Sequence, residues 1–424
     1  MRILYTFVWI LALPLVLARL FWRGRLEPGY RQHIAERFGF YSAASKPKQA
    51  VIWVHAVSVG ETRAAEPLIK QLMQAYPQHR ILLSHMTPTG RATGALLFAN
   101  ELSNNTVQQC FLPYDIPYLV RRLLTHFKPT ICILMETEVW PNLIYACRQQ
   151  AVPVTLVNAR LSPKSLKKAE RLSSLILPAS AALTCVAAQT EADAKRILQL
   201  GAPKVLVTGN SKFDVSLNPE QISAGHTLRE QFGSRPVLLC ASTREGEEDL
   251  ILDAFMQVQN SNLLLIIVPR HPQRFDLVEQ LIKQRGLTME RRTTLAQNKL
   301  ADEVRVVLGD TMGEMASYYV SSDIAFIGGS LLPLGGQNLI EACAVEKPVL
   351  IGPHTFNFEA ISVDAIEAKG ALRIYNAAQL FEETGKLIQD RERKTTMGKC
   401  ALAFAEQHRG ATARTLALLR EYIH

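Results

Sequence analysis

Paired cysteines are missing from this sequence. The seven that occur, at positions 110, 132, 147, 185, 240, 343 and 400, are scattered and include no C-x-x-C pair. That excludes a disulfide framework and a cysteine-based zinc site, and it fits a reducing compartment. No D-x-D motif occurs, so no such acid pair clamps a donor diphosphate through a metal. The G-x-G-x-x-G, G-x-x-x-x-G-K-[ST] and H-E-x-x-H motifs are missing too. Nicotinamide enzymes, P-loop NTPases and zinc proteases therefore fall in rank, and neither a metal nor a cofactor is expected. Aromatic residues make up only 7% of the chain and no RNA-binding motif is present, which argues against a nucleic-acid partner.

What is present describes a large globular protein. A chain of 424 residues is too long for one ordinary core, so two α/β domains are expected. Hydrophobic content of 48% and charge of 20% match a folded protein. The net charge of +9 and a pI near 9.2 call for an anionic partner, such as acidic lipid or a phosphorylated substrate.

The amino terminus carries a second signal. Ile3 to Ala18 contains no charged residue, and Arg19, Arg23, Arg25 and Arg31 follow. At ~1.5 Å per residue that run covers roughly 24 Å, short of the ~30 Å hydrocarbon core. Leu20, Phe21 and Trp22 extend it if Arg19 snorkels. No small-residue cleavage site follows, so a membrane anchor, spanning or deeply interfacial, is favoured over a signal peptide. Arginines after the run put the bulk of the chain in the cytoplasm. The next stretch, with Tyr30, Arg31, Arg37 and Phe38 at helical spacings, reads as a basic juxtamembrane helix or a solvated connector.

Strands and helices then alternate. The apolar run Val51 to Val54 leads into H-A-V-S-V-G-E (His55 to Glu61) and a helix from Thr62 to Tyr76, the layout of a first βα unit. Ligands of open α/β sheets bind beyond the carboxyl ends of the strands, where Glu61 falls. A helix start favours ionised Glu61 and a role as base; capping its own helix is the competing role. Further strands are expected at Ile81–Ser84, Val107–Leu112, Thr130–Met135, Val154–Asn158, Leu183–Ala188 and Val205–Thr208. The fourth strand ends in E-T-E (Glu136 to Glu138), and a buried carboxylate there must be paired or functional. Arg160, Lys164, Lys167, Lys168 and Arg171 form a basic patch, either solvated or facing acidic lipid.

Near residues 209–235 the pattern breaks, then restarts with strands at Pro236–Ala241, Leu263–Val268, Val304–Leu308, Ile324–Ile327 and Pro348–Gly352. Their loops suit phosphate. The turn Ser242 to Glu247 opens a helix whose N–H groups could hold an anion, and Arg270 stands at a strand end. Glycines at 328–329 and 335–336 allow close backbone approach. The remainder reads as mainly helical. Two such halves resemble the GT-B glycosyltransferase architecture: two Rossmann-like α/β domains facing a cleft, here with an amino-terminal membrane-anchor helix.

A more specific resemblance rests on ordered stretches spread over nearly the whole chain. They are H-A-V-S-V-G-E ending at Glu61, M-T-P-T-G ending at Gly90, L-P-Y-D ending at Asp115, M-E-T-E-V-W-P-N ending at Asn142, N-A-R-L-S ending at Ser162 and K-F-D ending at Asp214. V-P-R-H-P then ends at Pro272, G-D-T-M-G-E at Glu314, A-F-I-G-G-S at Ser330, G-G-Q-N-L-I-E at Glu341 and G-P-H-T-F-N at Asn357. With these the chain resembles the bacterial 3-deoxy-D-manno-octulosonic acid (Kdo) transferases of lipid A assembly. The resemblance implies a division into an anchor at 1–22, an acceptor-binding Rossmann-like domain with a basic membrane-proximal face at 23–212, a linker at 213–235 and a CMP-sugar-binding Rossmann-like domain at 236–424. It implies inverting transfer of Kdo from CMP-Kdo to the lipid A precursor beside anionic inner-membrane lipid on the cytoplasmic face. Glu61 would be the general base, with Glu136 and Lys212 supporting the transition state. The CMP donor would be met by Pro269 and Arg270, by Met312, Gly313 and Glu314, and by Asn338, Leu339, Ile340 and Glu341. One departure from the family pattern is Gln337 followed by Asn338-Leu339, where that pattern reads His and then Asn-Pro. A GT-B enzyme using a UDP-sugar on another lipid acceptor, and a non-catalytic membrane-bound scaffold, are the competing readings.

Overall fold

The computed structural model describes residues 1–25, 27–42, 49–214, 218–258, 262–295 and 299–423. The chain packs as two compact units, one formed by Met1–Asp214 with Arg409–His424 and the other by Val215–His408. Each is built on a seven-stranded, all-parallel sheet.

In the first unit the strands are β1 (Val51–His55), β2 (Arg80–His85), β3 (Val107–Phe111), β4 (Pro129–Met135), β5 (Val154–Ala159), β6 (Cys185–Ala188) and β7 (Val205–Val207), in the order β3-β2-β1-β4-β5-β6-β7. Parallel strands covered by helices on both faces must be apolar on both faces. β1 obeys this throughout: Trp53 joins Leu82, Cys132 and Leu134 in one core, while Ile52 and Val54 join Ile81, Leu83, Ile131 and Ile133 in the other. The second unit contains β8 (Val237–Thr243), β9 (Leu264–Pro269), β10 (Met289–Arg291), β11 (Val306–Leu308), β12 (Ile324–Ile327), β13 (Val349–Ile351) and β14 (Ala371–Arg373), in the order β10-β11-β9-β8-β12-β13-β14. The order of each sheet reverses at its first strand, β1 or β8, which makes those carboxyl ends the ligand-binding positions of a doubly wound fold.

Two strands were not anticipated. β10 and β14 are three-residue edge strands, too short and too polar to show an apolar run. The carboxyl terminus also differs from expectation, because residues 409–424 pack with the first unit instead of the second. The cause is Asp214, whose carboxylate accepts the backbone N–H groups of Gly410 (2.6 Å) and Thr412 (2.5 Å) and so caps the helix Ala411–Leu419. Leu416 and Leu419 then enter the core behind the helix Val59–Ala75. Within the segment expected to be a linker, Pro219–Phe232 is a helix with Asn218 as its side-chain cap.

The amino-terminal helix, Arg2–Arg23, is long and apolar enough to cross a membrane, with a mean hydropathy of 2.1 over its most apolar window. One stripe of it nevertheless packs on the first unit. Trp9, Leu13, Val16, Leu17 and Leu20, at i, i+4, i+7, i+8 and i+11, meet Tyr114, Ile116, Leu119, Tyr30 and Phe38. Thr6 Oγ1 accepts from Asn142 Nδ2 at 2.9 Å, and the Arg2 guanidinium lies 3.1 Å over the Tyr145 ring. The opposite stripe is bare: Ile3 is 85% exposed, Leu15 75% and Trp22 65%. The chain then folds as two short 3-10 turns, Pro28–Arg31 and Ile34–Phe38, not as a basic helix. Arg37 is turned inward, donating to the Met86 carbonyl at 3.1 Å.

Replacing Asp214 with alanine removes both caps of the returning helix. Charge-assisted hydrogen bonds of this kind contribute roughly 1.5–3 kcal/mol. Urea unfolding of Asp214→Ala should show a loss of about 2–3 kcal/mol in the first unit's transition; no loss would mean that the helix is held by its apolar face alone.

Candidate active site

Three acids of the first unit gather at the carboxyl ends of β1 and β4. Ser58 caps the helix Val59–Ala75, and Glu61 occupies its first turn. The spacing S-x-x-E is that of a capping box, in which the acid reaches back towards the helix start. Here the Glu61 carboxylate accepts the N–H of Val57 at 2.5 Å. The loop beneath it is fixed from β2: the Thr87 hydroxyl donates to the Val57 carbonyl at 3.0 Å and accepts the Gly90 N–H at 3.1 Å. A side chain at position 90 would come within 3.0 Å of that same carbonyl, so the close approach requires glycine.

Glu136 follows β4 directly. It adopts a left-handed backbone conformation, φ 57°, that a non-glycine residue holds only when its surroundings dictate it. Its side chain is buried and doubly paired. Oε2 accepts from Arg160 Nε at 3.0 Å, and Oε1 lies 3.3 Å from Lys212 Nζ. Lys212 reaches it from a 3-10 turn, Ser211–Phe213, capped by the Asn210 side chain. Asn158, also left-handed at φ 51°, holds that turn by accepting the Ser211 N–H at 3.1 Å, and the Ser211 hydroxyl donates to Ala64 in the Glu61 helix at 2.9 Å. The structure thus brings Glu136 and Lys212 together and ties their support to the helix of Glu61. Arg160, read from sequence as one of a basic patch, belongs to this cluster. The patch helix Pro163–Arg171 has no buried residue and is a solvated face.

The expectation that a helix start keeps Glu61 ionised meets an opposing effect. Burial pushes its carboxyl up from 4.5 to about 7, with further upward contributions from Glu138 and Glu136, and these outweigh the N–H groups of Val57 and Ser58. Glu138 is pushed up to about 6, again chiefly by burial. Among the described residues Glu61 has no cation within ion-pair distance, whereas Glu136 has two. Two carboxylates in such contrasting environments suit different tasks, and a group titrating near 7 is matched to proton abstraction at neutral pH.

In the second unit the residues expected at the donor lie at the carboxyl ends of β9, β11 and β12. Pro269 ends β9, and the Arg270 N–H donates to the Thr243 carbonyl at 2.9 Å. Arg270 and Glu341 both act on the buried Tyr319 phenol, so they share one neighbourhood. Met312 is exposed, Gly313 is left-handed at φ 84°, and Glu314 pairs with Arg292 at 3.2 Å and accepts the Thr311 hydroxyl at 2.6 Å. Asn338 accepts the N–H of Ile340 at 3.1 Å. Leu339 and Ile340 have fully buried side chains, so only their backbone can meet a ligand.

The acids at 247 and 248 went unnoticed in the sequence. Glu247 accepts four N–H groups, from Arg244 (2.9 Å), Gly329 (2.6 Å), Ser330 (2.9 Å) and Leu331 (2.9 Å). Glu248 takes the Thr243 hydroxyl at 3.0 Å and Arg274 at 2.9 Å. The backbone amides of Arg244 and of the glycine loop at 329–331 are therefore occupied. The available signal was two consecutive acids straight after a glycine at a helix start. A cavity of about 1010 Å³, bordered by Arg80, Arg121, Arg122 and Lys128, lies at the amino end of the first sheet, opposite the end that carries Glu61 and Glu136.

Two Rossmann-like units in one chain, each on a seven-stranded parallel sheet, define the class: a protein of GT-B architecture. HepE of Anabaena in complex with UDP matches with a TM-score of 0.57 at 17% identity, covering 88% of this chain and 100% of that one. The UDP-GlcNAc 2-epimerase of Neisseria meningitidis bound to UDP-GlcNAc matches with a TM-score of 0.56 at 16% identity, covering 88% and 100%. These likenesses establish the fold. The family profile described as 3-deoxy-D-manno-octulosonic-acid transferase (kdotransferase) matches residues 32–215. The 3-deoxy-D-manno-octulosonic acid transferase of Bordetella pertussis is 43% identical over 97% of this chain and 96% of its own. That of Haemophilus influenzae is 37% identical over 100% and 99%. The chain belongs to the Kdo transferase family.

The raised Glu61 carboxyl generates a pH prediction. Any step that needs ionised Glu61 should follow this titration, so kcat/KM should rise with pH through about 7 and then level. The same shift lowers stability as pH rises. The unfolded group loses its proton near 4.5 and the folded group near 7, so the stabilisation present below the lower value is lost as pH passes the higher. The melting temperature of Glu61→Gln relative to that of the unsubstituted protein should therefore be higher at pH 8 than at pH 5. An equal difference at both pH values would remove the shift.

Proposed function

We propose that this protein transfers Kdo from CMP-Kdo to the lipid A precursor, lipid IVA, with inversion at the anomeric carbon, on the cytoplasmic face of the inner membrane. The observation that carries the mechanism is Glu61, a half-buried acid that pairs with no cation among the described residues and whose carboxyl sits near 7, beside Glu136 whose charge is doubly paired. The Glu61 carboxylate takes the proton of the acceptor hydroxyl while the hydroxyl oxygen attacks the anomeric carbon. The bond from that carbon to the phosphate oxygen breaks, and CMP departs with the electron pair. Glu136 and Lys212 steady the charge that develops at the reacting centre. Pro269, Arg270, Met312, Gly313, Glu314, Asn338 and Glu341, with the backbone of Leu339 and Ile340, take the CMP donor, and the Arg270 guanidinium offsets the growing charge on the phosphate. A UDP-sugar acting on another lipid acceptor is the alternative, since fold relatives bind UDP.

The amino-terminal helix supports membrane attachment in the plane of the surface. A helix packed along one stripe from Thr6 to Leu20 cannot be surrounded by lipid, and its bare stripe, Ile3, Leu4, Phe7, Leu11, Leu15 and Trp22, is free to enter the interface. Arg19, Arg23 and Arg25 then meet anionic head groups at about 1 kcal/mol each.

CMP release from CMP-Kdo with lipid IVA tests the chemistry. Acceptor-dependent release by the unsubstituted protein should fall at least ~100-fold in Glu61→Ala, the lower end of what a positioned base contributes. No release at all would advance the UDP-sugar reading, and an undiminished variant would remove Glu61 as base. The attachment has its own test. Leu11→Glu/Leu15→Glu should lose flotation with anionic vesicles while its melting temperature is unchanged, because both side chains lie outside the packed stripe. Retained flotation would place the binding elsewhere.

A further inference from the structure

The first loop of the second unit, at the end of β8, has no role in the assignments above, yet it occupies the switch point of its sheet. β9 lies on one side of β8 and β12 on the other, so the loops after β8 and β12 border the crevice in which a doubly wound sheet takes its ligand. The two loops touch backbone to backbone. A side chain at Gly328 would meet the Ser242 carbonyl oxygen at 2.6 Å and Thr243 Cα at 2.7 Å. Ser242 is left-handed at φ 55°, which turns the chain so that Arg244 follows.

An oxyanion arriving here finds no backbone donors in the stretch Gly329–Leu331, because the buried Glu247 carboxylate already accepts all three N–H groups and that of Arg244. Recognition falls to side chains. Two of them converge over Gly329: a β-carbon placed there would lie 3.4 Å from Arg244 Cγ and 3.4 Å from Gln337 Nε2. The 336 N–H donates to the Gly329 carbonyl at 2.6 Å, which fixes Gln337 relative to Arg244. The neighbouring Arg274 is neutralised by Glu248 at 2.9 Å and Glu245 at 3.7 Å. The Arg244 guanidinium meets no carboxylate within ion-pair distance among the described residues, and it is only half-buried.

We propose that Arg244 is a donor-binding residue whose guanidinium, with Gln337 beside it, receives an oxyanion attached at the anomeric carbon of the donor sugar. This rests on the CMP-ulosonate reading of the donor, which places two oxyanions on that one carbon: the phosphate of CMP and the sugar's own carboxylate. Arginine's planar fork matches either in bidentate fashion. Glu247 is what makes a side chain necessary, since it replaces the ligand as the anion of the backbone cradle.

The test uses the full chain and the variants Arg244→Gln and Arg244→Lys, with KM for CMP-Kdo and the inhibition constant for CMP measured at saturating acceptor. An arginine–oxyanion contact contributes about 1.5–3 kcal/mol, so KM should rise roughly 10- to 100-fold in Arg244→Gln and by less in Arg244→Lys. If the contact is to phosphate, the CMP inhibition constant rises in parallel. If it is to the sugar carboxylate, which CMP lacks, that constant stays at its original value. Both constants unchanged in both variants, with CMP-Kdo turned over normally by the unsubstituted protein, would overturn the Arg244 assignment alone. Failure of the unsubstituted protein to turn over CMP-Kdo would overturn the donor reading and this proposal with it. Retained melting temperatures in either variant establish that a changed KM is not a folding defect.

Discussion

The first unit is organised around one buried carboxylate. Removing Glu136 from water costs several kcal/mol unless its charge is matched. Arg160 from the end of β5 and Lys212 from the turn after β7 supply the match. Three strand ends are thereby drawn to one point, and the left-handed backbone of Glu136 and Asn158 is the strain that this convergence sustains. Because both cations are committed to Glu136, none remains for Glu61 among the described residues. The raised pKa of Glu61 is therefore a consequence of how its neighbour is satisfied, not only of its own burial. Had Lys212 turned to Glu61 instead, that carboxylate would be ionised far below neutrality and would be a weaker base.

The second unit solves the same physical problem in the other direction. Glu247 is as buried as Glu136, but it is matched by four backbone N–H groups and not by cations. A carboxylate held in that way is a structural part, since its oxygens are taken up by backbone donors. The outcome leaves positive side chains near it without their obvious acidic partner. Buried acids are thus matched by cations in one unit and by backbone amides in the other, and the partner set distinguishes the two where residue type does not.

Most of the fold was legible because parallel strands buried on both faces must be continuous apolar runs, as Val51–Val54 and Thr130–Met135 are. The edge strands β10 and β14 were not, since Met-Glu-Arg over three residues carries no such run. The return of residues 409–424 to the first unit depends on Asp214 meeting Gly410 and Thr412, a contact across nearly two hundred residues that no local pattern encodes. At the site, the positions of Glu61, Glu136 and Lys212 were readable from strand ends and from family resemblance. The ionisation of Glu61 was misjudged because the helix dipole is visible in a sequence and desolvation is not. Leu339 and Ile340 were read as contacts from their place in a motif, whereas burial confines them to backbone.

Hydropathy alone could not decide the posture of the amino-terminal helix, because a helix apolar on all sides satisfies both a spanning and a surface role. The packed stripe adds chemistry that hydropathy averages away. Thr6 meets Asn142, and the N–H groups of Asn142 and Leu143 are held by the buried Asp115 at 3.0 and 2.8 Å. Asn142 stands six residues after Glu136 in the same strand-to-helix connection. A helix seated on that connection lies at the carboxyl edge of the sheet, where Glu61 and Glu136 are. On the reading proposed here, the surface that holds the protein to lipid and the groups that act on a lipid-borne hydroxyl are thus one rigid structure. The acceptor's sugar head can meet Glu61 while its acyl chains remain in the bilayer, so the free-energy cost of extracting them into water is not incurred.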